Sequence, residues 1–225
     1  MPQRLRYSHR QVSAVPHKNG SLEAALAQLR RGGMVVVCDD PDRENEGDLC
    51  MAAQFVTAEK IAFMACEARG LICLSLPSQR CDELELPLMV PANDGSEATG
   101  FTVSIEARTG VTTGISAADR ARTIQVAIDP DNGPDDLVRP GHIFPLRARP
   151  NGVLERRGQT EAAIDLTRLA GLTPGGVLCE LMNSDGTMAR GVQLQALCRR
   201  HDLPMVTVEE IAGHLNATTP AITAV

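Results

Sequence analysis

MVVVCDDPDRENEGDLCMAAQFV, residues 34–56, sets ten residues carrying six acids and one arginine between two apolar runs. The run from Met34 to Cys38 predicts one buried strand, and the run from Leu49 to Val56 predicts a second. Inside the acidic connection Glu44, Glu46 and Asp48 alternate, so an extended backbone turns all three carboxylates to one side. Most charge runs of this kind are solvated turns. Placed between two buried strands and holding Arg43, this one also has the carboxylate density that a hard, oxygen-seeking cation such as Mg²⁺ requires.

Reading outward, a helix opens at Ser21 as its cap, puts Leu22, Ala25, Leu26 and Leu29 on one face and stops at Gly32. Thr57 caps a second helix through about Arg69, ended by Gly70, and LICLSL (71–76) reads as a buried strand. Residues 86–99, rich in turn formers, predict a mobile loop. FTVSIEA (101–107) alternates as a strand, Ser116 caps a helix through about Ile128, and residues 130–136 predict a loop. HIFPLRA is strand-like but interrupted by Pro145. Thr160 reads as the cap of a helix stopped by Gly171, followed by the strand GVLCELM, a helix, the strand PMVTV and a last helix from about Glu209. Helices and strands interleave without repeats, which predicts a single α+β domain with a mixed sheet over residues 21–216. Residues 1–20 predict a flexible extension, and residues 217–225 a frayed tail.

Composition narrows the function. At 225 residues and 43% hydrophobic the chain can bury a substantial core, built from aliphatic side chains because only 2% are aromatic. A net charge of -6 argues against a general binder of nucleic-acid backbones. No stretch has the length of a membrane-crossing apolar helix, and the polar, basic N-terminal residues lack the apolar core of a signal peptide. The seven cysteines form no C-x-x-C pair and mostly sit among aliphatic residues, as free thiols of a reducing, cytoplasmic setting do.

Two further segments carry chemistry. RPGHIFPLRA puts His142 behind a Pro-Gly turn with Arg139 and Arg147 nearby. ERRGQTEAAIDL puts Arg156, Arg157 and Gly158 before a helix start at Thr160, where open amides, the helix dipole and arginine forks favour a phosphate. Taken singly, a loop histidine is more often structural, and an arginine pair is usually surface charge.

Together, DDPDRENEGDL, TGFTVSIEARTGVTTGISAADRARTI, RPGHIFPLRA, TEAAIDLTRLAG and GVLCELMNSDGTMAR closely resemble the 3,4-dihydroxy-2-butanone 4-phosphate synthase family of riboflavin biosynthesis. The likeness runs from about Ser21 to Leu215. It implies a homodimeric α+β fold and a Mg²⁺- or Mn²⁺-dependent lyase that converts ribulose 5-phosphate into 3,4-dihydroxy-2-butanone 4-phosphate and formate. Carried onto this chain, it implies a substrate and metal loop of Arg43, Glu44, Glu46 and Asp48, with Glu44 a metal ligand. His142 and Glu180 correspond to the family's essential histidine and glutamate, and Glu46 and Asp48 join them in proton transfer. Arg156 and Thr160 correspond to phosphate-binding positions, and Cys73 and Thr113 to residues lining the site.

The chain departs from the family pattern R-x-G-H-T-E, in which the histidine is the second protein ligand to the metal. Here Gln159 holds that place, and a neutral amide oxygen is a weaker ligand that cannot titrate. Asp94 and Glu97 add negative charge to a loop expected to close over an anionic sugar phosphate. Three activities follow: the ordinary synthase, which ranks first; a paralogue that enolises and dehydrates or rearranges a pentulose phosphate to another ketone phosphate; and an inactive sugar-phosphate-binding or partner protein.

Overall fold

A computed structural model describes residues 21–95 and 98–218. Its centre is a seven-stranded sheet in the order β4-β5-β3-β6-β2-β1-β7. The strands are β1 (Val35–Cys38), β2 (Gly47–Ala52), β3 (Cys73–Leu76), β4 (Ile105–Ala107), β5 (Leu137–Arg147), β6 (Gly176–Glu180) and β7 (Met205–Thr207). β1 runs parallel to β7 and β3 parallel to β5, while the other neighbours are antiparallel, so the sheet is mixed as expected.

Helices cover both faces. They are α1 (Leu22–Arg30), α2 (Ala58–Phe63), α3 (Ser78–Glu83), α4 (Ala117–Ile128), α5 (Gln159–Leu169), α6 (Val192–His201) and α7 (Val208–Thr218). The period of two along each strand divides the core between the faces. Val36, Leu49, Met51, Leu74, Leu76, Val177 and Cys179 pack with Ile61, Cys81, Ile124 and Leu194 from α2, α3, α4 and α6. Val35, Val37, Cys50, Cys73 and Leu178 pack with α1, α5 and α7 through Leu26, Leu29, Ala162, Leu166 and Ile211. Asp48 shares the parity of Cys50, and Glu180 that of Leu178. Both acids therefore face the layer that contains α5.

The expected caps are present at three helices: Ser21 accepts from the amide of Ala24, Thr57 from Lys60 and Ser116 from Asp119. Each contributes about 1 kcal/mol by satisfying an otherwise open amide. Thr160 is not a cap. It lies inside α5, whose N-cap is Gly158 and receives no side-chain cap bond.

Other boundaries also move. β2 begins at Gly47 and gives way to a 3-10 turn at Ala53–Phe55, so the acidic run extends into the strand. α2 passes into a π-helical turn at Met64–Ala68. The short α3 has no apolar periodicity long enough to announce it. β5 absorbs the Pro-Gly turn as an eleven-residue strand. The described residues of the 86–99 stretch carry no regular element beyond the Leu88–Thr102 bridge, and Asp94 is exposed. α7 continues to Thr218, beyond the expected boundary at 216. The expected extension at 1–20, Glu97 and the tail from 219 onward lie outside the described residues.

Candidate active site

Strand pairing builds the floor of the site. Asp48 on β2 is the direct cross-strand partner of Glu180 on β6, which holds two carboxylates about 5 Å apart at their Cβ atoms on one face. Glu180 is steadied by the amide of Leu71, 2.8 Å from its Oε2. Gly70 permits this approach, because a Cβ there would lie 2.5 Å from the same oxygen. Asp48 is 7% exposed, and its Oδ1 is buried without a hydrogen-bond partner. Burial pushes its carboxyl well above the usual carboxylate range, and the neighbouring Glu180, Glu44, Asp39 and Glu46 push it further.

The acidic loop forms one wall. Asp39, which motif reading left unassigned, organises it: Oδ1 accepts from the amide of Glu46 at 2.8 Å and Oδ2 from that of Glu44 at 3.0 Å. The side chains of Glu44 and Glu46 thereby join Asp48 around one cavity, but not along the extended backbone that their alternation predicts: residues 41–44 form a turn and Asn45 has a φ of 53°. Burial, with Glu44 and Asp39 adding, also raises the Glu46 carboxyl, opposed by Arg190 at 2.9 Å. Arg43 crosses the loop, its Nη1 donating to Asp39 Oδ2 (2.8 Å), Glu44 Oε2 (3.0 Å) and Gln159 Oε1 (2.8 Å).

The opposite wall is the start of α5. The missing side-chain cap at Gly158 leaves the positive end of the helix, with Gln159 and Thr160, at the cavity. Arg156 is aimed there by Glu161, which is 1% exposed and accepts from Arg156 Nη1 at 2.7 Å. Arg156 Nη2 reaches Thr99 Oγ1 at 2.9 Å. Glu161 and Thr99 lie within the family-like blocks of the sequence but carry no assigned role there. The nearest signal for Glu161 is that an acid three residues into a helix can turn back on a preceding arginine.

The resulting cavity, of about 200 Å³, is lined by Arg43, Glu44, Glu46, Asp48, Cys73, Arg156, Gln159, Thr160 and Glu180, with Thr99, Phe101 and several leucines completing it. Cys73 has its thiol raised by burial, then by Glu180 and Asp48, so it lines the cavity as a neutral thiol and not as a nucleophile.

Two expected residues are not brought into this cavity. His142 lies on β5, three strand spacings from β2 in the sheet order, which is roughly 14 Å. There it pairs with Glu106 of β4. Thr113 is exposed in the turn beside Gly114, which packs against the same Glu106.

The donor set suits a hard divalent cation. It is made of oxygens, Glu44 and the Gln159 amide, backed by further carboxylates, one with an unpartnered oxygen. Among the described residues no three His, Cys, Asp or Glu side chains converge into a closed cage. That fits Mg²⁺, which is commonly held by one or two protein groups together with substrate and water.

Known proteins resemble the chain over nearly all of this structure. The family model of 3,4-dihydroxy-2-butanone 4-phosphate synthase matches residues 23–214. A synthase of that name from Pelobacter propionicus is 56% identical over 207 residues, covering 90% of this chain and 88% of its own. The riboflavin biosynthesis protein RibBA of Synechocystis sp. is 58% identical over 196 residues, 86% of this chain, which spans only 35% of that longer protein. A crystal structure of a 3,4-dihydroxy-2-butanone 4-phosphate synthase in complex with two magnesium ions superposes with a TM-score of 0.84 at 41% identity, covering 88% of this chain and 97% of that one. Fold and sequence agree, and the chain belongs to the 3,4-dihydroxy-2-butanone 4-phosphate synthase family.

Proposed function

We propose that the protein is a Mg²⁺-dependent lyase that converts D-ribulose 5-phosphate into 3,4-dihydroxy-2-butanone 4-phosphate and formate for riboflavin biosynthesis. The observation that carries this reading is the pair Asp48 and Glu180, facing each other across adjacent strands beneath a helix N-terminus and Arg156. An acidic proton-transfer floor and an anion-binding wall suit a sugar phosphate.

Arg156, Thr160 and the first turn of α5 bind the phosphate. Glu44 and Gln159 would hold the metal, which when bound polarises the C2 carbonyl and a neighbouring hydroxyl. Arg43 has to give up its bonds to both groups for that to happen, and its other anchor, Asp39, keeps it in the loop. Glu180 is placed as the base for the C3 proton. Asp48, raised by its surroundings, holds a proton for the departing C1 hydroxyl. Coupled across the strands, the two carboxyls exchange roles as later proton transfers demand, with Glu46 at the rim. The skeleton then rearranges, one water replaces the one lost with the C1 hydroxyl by adding to the C4 carbonyl, and C4 leaves as formate, so that one five-carbon substrate gives the four-carbon ketone phosphate and formate with no net gain or loss of water.

Carbon NMR of the purified protein with ribulose 5-phosphate and Mg²⁺ should show formate and the four-carbon ketone phosphate in equal amounts. A five-carbon product would replace this reading with the paralogue, and unchanged substrate would replace it with a binding role.

A second copy completes the site in this reading. Supporting it are the three-residue edge strand β4 and the exposed Leu88, Met89, Val90 and Ile115. His142 and Thr113 also stand outside their own cavity. No described helix is long and apolar enough to cross a membrane. All seven cysteines are free, which supports a reducing cytoplasm; a disulfide in the protein taken directly from cells would contradict that placement.

Gln159→His tests the metal assignment directly. A neutral imidazole nitrogen is a stronger metal donor than a neutral side-chain amide, and the change also removes one acceptor of Arg43. Mn²⁺ affinity measured by calorimetry should rise about 10-fold, or roughly 1.4 kcal/mol. An unchanged affinity would place Gln159 outside the metal's reach.

A further inference from the structure

We propose that Glu106 is the positioning residue of His142, fixing its proton on Nδ1 so that Nε2 is the unprotonated, outward-facing atom that takes part in proton transfer. This rests on the reading of His142 as an acid–base residue, and adds the group that makes it one.

The geometry is specific. His142 Nδ1 lies 2.7 Å from Glu106 Oε2, with the imidazole 45% and the carboxylate 12% exposed. A carboxylate at that distance accepts from a proton-bearing nitrogen, so Nδ1 carries hydrogen, and in the neutral imidazole Nε2 is then the nitrogen that keeps its lone pair. Nε2 meets no hydrogen-bond partner among the described residues. The more exposed end of the pair is thus the end with chemistry to offer.

The strands are built to make this contact. Ile105 pairs with Ile143, yet Glu106 pairs with Val138, so the residues between Val138 and Ile143 bulge out of register opposite one peptide of β4. The bulge carries His142 back over Glu106. Gly141 allows it, since a Cβ there would lie 2.0 Å from the carbonyl of Ile105, and its amide is held by Ser104 Oγ at 3.1 Å.

The other carboxylate oxygen shows what the pair is for. Glu106 Oε1 is buried without a hydrogen-bond partner. It is covered by Gly114 (φ +87°), where a Cβ would sit 2.1 Å from it. An unsatisfied buried carboxylate oxygen is unfavourable to folding and calls for an explanation. A carboxylate closed to water on one side and bonded to imidazole on the other has His142 as its one described side-chain partner. That arrangement orients a general base, as an acid behind a histidine does in hydrolytic triads.

The test is nitrogen NMR of protein labelled in its histidines, with His142 assigned by its loss in His142→Gln. The wild type should show the Nδ1–H tautomer, and Glu106→Leu, which keeps volume but removes the acceptor, should shift it toward Nε2–H. Turnover of Glu106→Leu should fall about 10²-fold with KM unchanged, since the phosphate wall is elsewhere. An Nε2–H tautomer in the wild type overturns the proposal even if the variant fails to fold. So does a tautomer or a turnover unmoved by Glu106→Leu. Full turnover of His142→Gln would instead sink the acid–base reading of His142, and with it the catalytic half of this proposal, while the tautomer result would stand alone.

Discussion

Asp48→Asn is expected to lower turnover about 10²–10⁴-fold, the usual worth of a positioned acid–base group, while making the protein more stable at neutral pH. The two effects share one cause. Asp48 sits in a central strand with one oxygen unpartnered and four acids around it, so its folded-state carboxyl is raised above the unfolded value. A folded group that holds its proton more tightly than the unfolded chain loses stability as pH rises between the two values. The wild type therefore forfeits stability above the unfolded value of about 4, and asparagine, which does not titrate, avoids that loss. Melting temperature should be higher in the variant at pH 7, and the gap should close as pH falls through about 4. Expected from the sequence to lie on a polar loop, this residue is instead buried in a central strand, where its charge is held at the expense of stability. Near-normal turnover in the variant would show that the acids of the floor are structural.

The second large effect is a recovery. If two copies build each site as proposed, His142→Gln and Glu44→Gln should each be nearly inactive alone, one damaging the histidine half of every site and the other the carboxylate half. Co-expressed with different tags and purified as a mixed dimer, they should regain about half the wild-type turnover, since one of the two composite sites then carries neither change. The rise, from a trace to about half, cannot come from either protein acting within its own subunit. A mixed dimer as inactive as its parents, or sedimentation showing an active monomer, would place His142 and Glu44 in one chain's chemistry and remove the composite site.

Much of this was legible in the sequence where the signal is local. The caps at Ser21, Thr57 and Ser116 and the apolar strands depend on neighbours a few residues away. Asp39 as the organiser of the acidic loop, Glu161 behind Arg156 and Glu106 behind His142 depend on groups brought together only by folding. Glu106 reads in sequence as one polar position of an alternating strand, and nothing local connects it with a histidine 36 residues later. The start of α5 misled because threonine is a good cap in general. Here Gly158 takes the position, and the absence of a cap bond keeps the helix end available to an anion.

The placement of the acids also bears on how such a protein could acquire a different substrate. Asp48 and Glu180 are mounted on strands flanked by neighbours on both sides, and the residues between them and the core alternate face by face. Any change of their spacing would have to shift the register of the whole sheet. Arg43, Glu44 and Thr99 belong to connections that can lengthen, shorten or exchange residues without disturbing that register. Evolutionary retuning toward another sugar phosphate would thus be confined to the rim, and descendants with altered selectivity would be expected to keep the floor unchanged.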